Sequence, residues 1–176
     1  MRLYLCTKIR LAQCQKFDVL KKLGGIILKI ITKAEKMNWL STTLNISTKG
    51  RGLHDFTDQI NAQLRSWEVK QGMVFLFVQH TSASLVINEN YASAARRDME
   101  RFLDHIAPEG QNWHEHTLEG KDDSPAHMRT MITPTSMTIP VDNGQLNLGS
   151  WQGIFLAEHR RSRQRRQILL RVLSME

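Results

Sequence analysis

Residues 73–90 read MVFLFVQHTSASLVINEN, and the fold reading turns on this stretch. It begins as an apolar run, delivers His80, Thr81, Ser82 and Ser84 at the run's exit, and closes on Asn88, Glu89 and Asn90. A run this apolar predicts a central strand buried on both faces, and a buried strand fixes the residue leaving it better than a mobile loop does. An imidazole at that exit is pre-positioned for chemistry. A single histidine after a strand is more often a structural hydrogen-bonding group than a ligand or base, so the rest of the chain has to decide.

The flanking sequence supplies the rest of the domain. Upstream, residues 39–47 alternate Trp39, Ser41, Thr43, Asn45 and Ser47 with Leu40, Thr42, Leu44 and Ile46, a period-two strand. After Gly50-Arg51-Gly52, Asp55 or Thr57 can cap a helix with the apolar stripe Phe56, Ile60, Leu64 and Trp67, and Gly72 resets the chain for the central strand. Downstream, residues 90–106 predict a second helix, with Ala94, Ala95, Met99, Phe102, Leu103 and Ile106 inward. Residues 107–125, APEGQNWHEHTLEGKDDSP, predict an irregular loop too long for a simple connector. Strand signals return at 135–141, followed by the hairpin turn Asp142-Asn143-Gly144, then Leu146 and Leu148, 153–157 and 167–173. About six strands and two principal helices without βαβ alternation predict one α+β domain, its sheet largely antiparallel or folded as a two-sheet β-sandwich.

Charge divides the chain. The 176 residues hold 24 Lys and Arg against 17 Asp and Glu, net +7, but residues 1–36 have nine basic and two acidic side chains and so account for all of it. Residues 37–176 balance at 15 against 15, which argues against a duplex nucleic-acid binder, because such proteins cluster positive charge against phosphates. Both cysteines, Cys6 and Cys14, lie in the leading segment, so the main body has no disulfide, thiolate ligand or cysteine nucleophile. The longest apolar stretch there, 23–31, is interrupted by Lys29 and falls far short of the roughly 20 residues of a spanning helix. Stable membrane insertion is therefore not expected, a secretory signal fits poorly, and a cytoplasmic location is. Leu20, Leu23, Ile27 and Ile30 with Lys21, Lys22, Lys29 and Lys33 could build a basic amphipathic helix. The change in charge, cysteine usage and patterning at Met37 favours instead a mis-assigned start, with Met37 the true one.

Three constellations suggest chemistry. His80, His116 and His127 sit in strand-end or loop contexts, and three imidazoles from separate elements can converge on one divalent cation, zinc or magnesium, with an open position. The spacing of His116 and His127 matches no short metal signature, and His114 stands as the alternative to His116. His105 and His159 read as exposed or structural. Arg160, Arg161, Arg163, Arg165 and Arg166 offer guanidinium forks suited to a phosphorylated small molecule, or else a soluble hairpin tip. Gly149-Ser150-Trp151-Gln152-Gly153 offers a flat apolar surface and an amide to a heteroaromatic ring, although a bulge with a core tryptophan leaves the same trace.

Taken together, HTSASLVINEN at 80–90, DDSPAH at 122–127, IPVDNGQLNLGSWQGIFLAEH at 139–159 and the closing basic strand resemble the YjbQ-type family, also called the secondary thiamine-phosphate synthase enzymes. The resemblance spans 37–176 and none of 1–36. It implies a small α+β domain with a two-sheet β-sandwich, a homotrimer, and a weak or secondary ability to join a hydroxymethylpyrimidine diphosphate to a thiazole phosphate with release of pyrophosphate. It further implies that His80, His116 and His127 form the metal-like site, that Glu89 is the general base, and that Asp123 orients a histidine. Trp151 and Gln152 would face substrate, with Arg165 or Arg166 near its phosphate. The competing readings are a metal-dependent hydrolase of a phosphorylated metabolite and a non-catalytic trimeric metabolite-binding protein.

Overall fold

The computed structural model describes residues 37–175; the expectations for residues 1–36 lie outside them. The chain forms β1 (Met37–Ser47), β2 (Gly52–Asp55), α1 (Thr57–Ser66), β3 (Gln71–Val78), β4 (Ala83–Glu89), α2 (Ser93–Ile106), α3 (Asp123–Ile132), β5 (Ser136–Asp142), β6 (Gln145–Leu146), β7 (Gln152–Glu158) and β8 (Arg165–Met175). These make two antiparallel sheets, one of five strands in the order β1-β8-β3-β5-β6 and one of three in the order β2-β7-β4. The α+β expectation holds, with three helices instead of two.

The stretch 73–90 is not one strand. Polar residues Gln79 to Ser82 break it, so β3 stays in the five-stranded sheet while β4 crosses to the three-stranded one. One apolar core joins both sheets: Val74, Leu76 and Val78 of β3 and Ile168, Leu170 and Val172 of β8 pack with Leu85 of β4, Ile154 and Leu156 of β7, and Phe56, Ile60 and Leu64 from α1 and its N-terminal edge. Each such side chain contributes about 1.5–3 kcal/mol by leaving water, which is why the sheets hold their register. Backbone geometry agrees with the turn residues. Asn143 and Gly144 both take positive φ (51° and 79°) between β5 and β6, as a two-residue hairpin loop needs. Gly72 lies so close to β8 that a Cβ there would sit 2.1 Å from the Leu173 carbonyl oxygen.

The third helix is the main departure from the sequence pattern. α3 is ten residues long, with Pro125 in its first turn, where a missing N–H leaves no intrahelical bond unmade. Asp123 in that turn suits the positive end of the helix dipole. The sequence around it, with its proline and few apolar residues, shows no amphipathic period. No helix among the described residues is long and apolar enough to cross a membrane.

Candidate metal centre

Helical winding of Asp123–Ile132 has a direct chemical consequence. Residues four apart share a helix face, so Asp123 and His127 are brought together on α3. The loop before the helix then lays His116 against the same carboxylate. His116 Nε2 lies 2.7 Å and His127 Nε2 3.4 Å from Asp123 Oδ2. One donor atom from each residue falls within 4.8 Å of the others.

The hydrogen bonds around the three residues decide which atoms they could offer a cation. His127 Nδ1 lies 2.9 Å from the Thr81 carbonyl oxygen, which can only accept, so Nδ1 carries the proton and a neutral ring turns the Nε2 lone pair toward Asp123. Asp123 is 2% exposed, and its buried Oδ2 meets the His116 Nε2 at 2.7 Å without the alignment of a hydrogen bond. A buried carboxylate oxygen facing an imidazole lone pair is unfavourable unless a cation or a proton lies between them. Two imidazoles with one carboxylate are the donor set of open zinc-type sites, whereas magnesium prefers oxygen ligands in octahedral array. The residues therefore fit a divalent transition cation, which His116, Asp123 and His127 would hold.

Asp123 is in turn held by Arg160, which follows β7. The Arg160 Nη1 donates a short hydrogen bond to Asp123 Oδ1, its Nε donates to Asp122 Oδ2 at 3.1 Å, and its Nη2 donates to the Glu119 carbonyl at 2.7 Å. Burial opposes charge on both Arg160 and Asp122. It is outweighed for Arg160 by the bonds and charges of Asp122 and Asp123, which raise its pKa above the usual guanidinium value. For Asp122 it is outweighed by the Arg161 backbone N–H and by Arg160, which hold the carboxyl below its usual range.

Several expected residues fall elsewhere. His80 is not among the three donors: its Nε2 accepts the Gln167 backbone N–H at 3.0 Å, which uses the nitrogen and leaves the proton on Nδ1. Burial and the nearby Arg166 lower its pKa, against an opposing pull from Glu158. It remains near the centre, because His80, Thr81, His127 and Met131 line one hollow of about 510 Å³. His114 is also outside the donor set; its ring stands edge-on to Trp113 at 4.4 Å, and its Nε2 is buried without a partner. His159 is buried, as a structural role requires, and its Nε2 pairs with Ser84 Oγ at 2.8 Å.

Arg166 is not a free phosphate ligand. It is 6% exposed and forks onto Glu158, with Nε to Oε2 at 2.7 Å and Nη2 to Oε1 at 2.6 Å, while also reaching Ser82 Oγ at 3.1 Å. Its neighbour Arg165 is exposed, opposite Ser47. Glu89 does not stand beside His80 either. β4 pairs with β7 from Ala83 opposite Glu158 to Glu89 opposite Gln152, so the seven residues of β4 separate Glu89 from the histidine end by about 20 Å at ~3.3 Å per residue. At that far end Glu89, Trp151 and Gln152 do come together, with Asn88 and Tyr91, around a second hollow of about 570 Å³. Trp151 and Tyr91, 60% and 79% exposed, meet edge to face at 4.9 Å. Gln152 Oε1 accepts the Gly149 N–H at 2.8 Å, so its amide NH₂ is the half left to a ligand.

Sequence reasoning missed Arg160 as the partner of Asp123, the Thr81 carbonyl and Tyr91. The available signal was Asp-x-x-x-His at 123–127, which becomes a shared face only once the segment is helical.

The family model described as UPF0047 protein YjbQ-like matches residues 42–175. The UPF0047 protein sll1880 of Synechocystis is 41% identical over 143 residues, 81% of this chain and 97% of that protein. The UPF0047 protein YjbQ of Escherichia coli O157:H7 is 46% identical over 69% of this chain and 88% of its own length. A crystal structure of a YbjQ-like protein of unknown function from Sulfolobus solfataricus superposes with a TM-score of 0.71 at 26% identity, covering 79% of this chain and 99% of that one. By sequence and by fold alike, the chain belongs to the YjbQ, or UPF0047, family.

Proposed function

We propose that the chain is a divalent-metal-dependent enzyme of phosphorylated metabolites, with the thiamine-phosphate synthase reaction as the chemistry its family resemblance implies. The observation that supports this best is the convergence of His116, Asp123 and His127, with the buried Asp123 Oδ2 facing both imidazoles. A bound cation would supply Lewis-acid stabilisation of charge on a departing diphosphate. The chain's own groups would do the rest. Thr81 holds His127 in the ligating tautomer, and the exposed Arg165 remains the candidate for an outer phosphate contact. Trp151, Tyr91 and the Gln152 amide offer a stacking surface with a hydrogen-bond donor, but at the far end of β4, so in this reading they serve a metal centre only across a contact between copies.

In the proposed reaction the thiazole nitrogen forms a bond to the pyrimidine methylene carbon as its bond to the diphosphate oxygen breaks. The electron pair leaves with pyrophosphate, and the nitrogen becomes quaternary. No proton is removed, so this reaction does not need Glu89 as a base, and its place in the far hollow suits ligand contact better. The same donor set favours a second reading, hydrolysis of a phosphorylated metabolite, since two imidazoles and a carboxylate also serve water activation. A trimeric metabolite-binding protein without turnover is the third.

The homotrimer belongs to the same proposal, as does description of the two sheets around one core as a sandwich. Trp39, Leu173, Met73 and Pro140 lie in register across the face of the five-stranded sheet opposite the core, an apolar row suited to contact between copies. Sedimentation of the full chain should give three times the chain mass; a monomer would remove the trimer. Assays for thiamine phosphate with and without chelator, on wild type and His127→Ala, test the activity. Product formation should need both metal and His127. Faster turnover of an unrelated phosphate ester would favour the hydrolase, and binding without product the third reading.

A further inference from the structure

Arg160 does more than anchor a loop. Its guanidinium draws Glu119, Asp122 and Asp123 onto one group, and so fastens the segment that presents His116 to the first turn of α3. At Asp123 it engages one oxygen only: Oδ1 is bonded to Arg160, and Oδ2 faces the two imidazoles. We infer that Arg160 is a positioning residue that makes Asp123 a one-oxygen ligand, and thereby sets the affinity and coordination number of the metal centre.

A carboxylate free to turn can offer both oxygens to a cation, raising the coordination number and relaxing the preference for small, nitrogen-seeking cations. With Oδ1 tied to a guanidinium, that option is closed. Two imidazole nitrogens and a single oxygen remain, leaving an open position for substrate or water. Arg160 is only 15% exposed, so this bond competes little with water. Other acids also hold it in place, through Asp122 Oδ2 at 3.1 Å and Glu119 Oε2 at 3.4 Å. A lysine could keep the charge but not the fork that reaches three acids at once.

The inference rests on the metal reading, and its test separates the two. Zinc titration of the full-length wild type, Arg160→Lys, Arg160→Met and Arg161→Met is followed by calorimetry, and cobalt(II) substitution by visible absorption. Removing an outer partner of a metal ligand typically weakens metal binding 10–100-fold. Arg160→Met should therefore bind zinc about 10–100-fold more weakly, and its cobalt bands should weaken and shift as the coordination number rises. Arg160→Lys should recover part of both effects. Arg161→Met, which removes a guanidinium paired with Glu109 and not with Asp123, should match wild type. Wild-type affinity and cobalt spectrum in Arg160→Met would overturn the inference and leave the metal reading standing. Failure of the wild type to bind zinc would overturn both.

Discussion

Replacing Arg166 with methionine should destabilise the protein by about 3 kcal/mol. The pair it belongs to is enclosed: Glu158 is 1% and Arg166 6% exposed, and two hydrogen bonds of 2.7 and 2.6 Å join them. Breaking a buried ion pair from one side typically costs about 3–5 kcal/mol, because the remaining charge is left unpaired. Glu158 would keep the Arg160 backbone N–H at 2.9 Å and the Thr48 hydroxyl at 3.3 Å, which places the cost at the lower end of that range. Domains of ordinary stability have roughly 5–15 kcal/mol in all, so the variant should fold but unfold early. In urea, with a slope of about 1–3 kcal/mol per molar, the midpoint should fall by about 1–3 M at unchanged slope. Adding Glu158→Gln removes the stranded charge while keeping an acceptor, and should restore at least half of the loss. A single variant within about 0.5 kcal/mol of wild type, the ordinary range for surface changes, would refute the structural role. If phosphate-ester binding fell at the same time, Arg166 would return to the substrate site.

Other outcomes follow from the same geometry. Burial, with Arg129, Arg166 and Arg51 adding to it, pushes the His159 pKa down to about 3 from 6.5. Between those values the unfolded chain binds a proton that the folded one does not, so stability should rise with pH across that window by up to about 1.4 kcal/mol per pH unit and flatten above it. Denaturation at pH 4.5 to 7.5 should show a shallower slope in His159→Gln than in wild type; equal slopes would contradict this. Gly72→Ala should lose more than about 2 kcal/mol in the same assay, because its methyl would meet the Leu173 carbonyl at 2.1 Å; a neutral result would show that β3 and β8 can separate there. Trp151→Ala should leave stability within about 0.5 kcal/mol, since the side chain is 60% exposed, yet weaken binding of an aminopyrimidine ligand about tenfold. Unchanged binding by fluorescence titration would remove the far hollow from the substrate site.

The strands and α1 were legible because period-two alternation and a clear apolar stripe write burial directly into the sequence. The split of 73–90 was not, since an apolar run continues through β3 and β4 on either side of four polar residues, and only pairing partners show that the sheet changes. The candidate metal centre was half legible. His116 and His127 stand out by residue type, but their sequence spacing is uninformative: the contact is made through Asp123, one helical turn before His127. α3 itself is short, proline-bearing and weakly patterned, so tertiary packing decides it. The arginine run misled in the opposite way. Three of its five residues separate into a carboxylate clamp at Arg160, a buried ion pair at Arg166 and an exposed side chain at Arg165, and what distinguishes them is burial and facing carboxylates.

Zinc stoichiometry and affinity, measured on the full-length wild type, Asp123→Ala, His127→Ala and His80→Ala, test the central claim most directly. One zinc per chain should bind wild type and His80→Ala with similar affinity, and binding should be lost or weakened at least 100-fold in Asp123→Ala and His127→Ala. Loss of zinc in His80→Ala with retention in Asp123→Ala, or no zinc in wild type, would contradict the account.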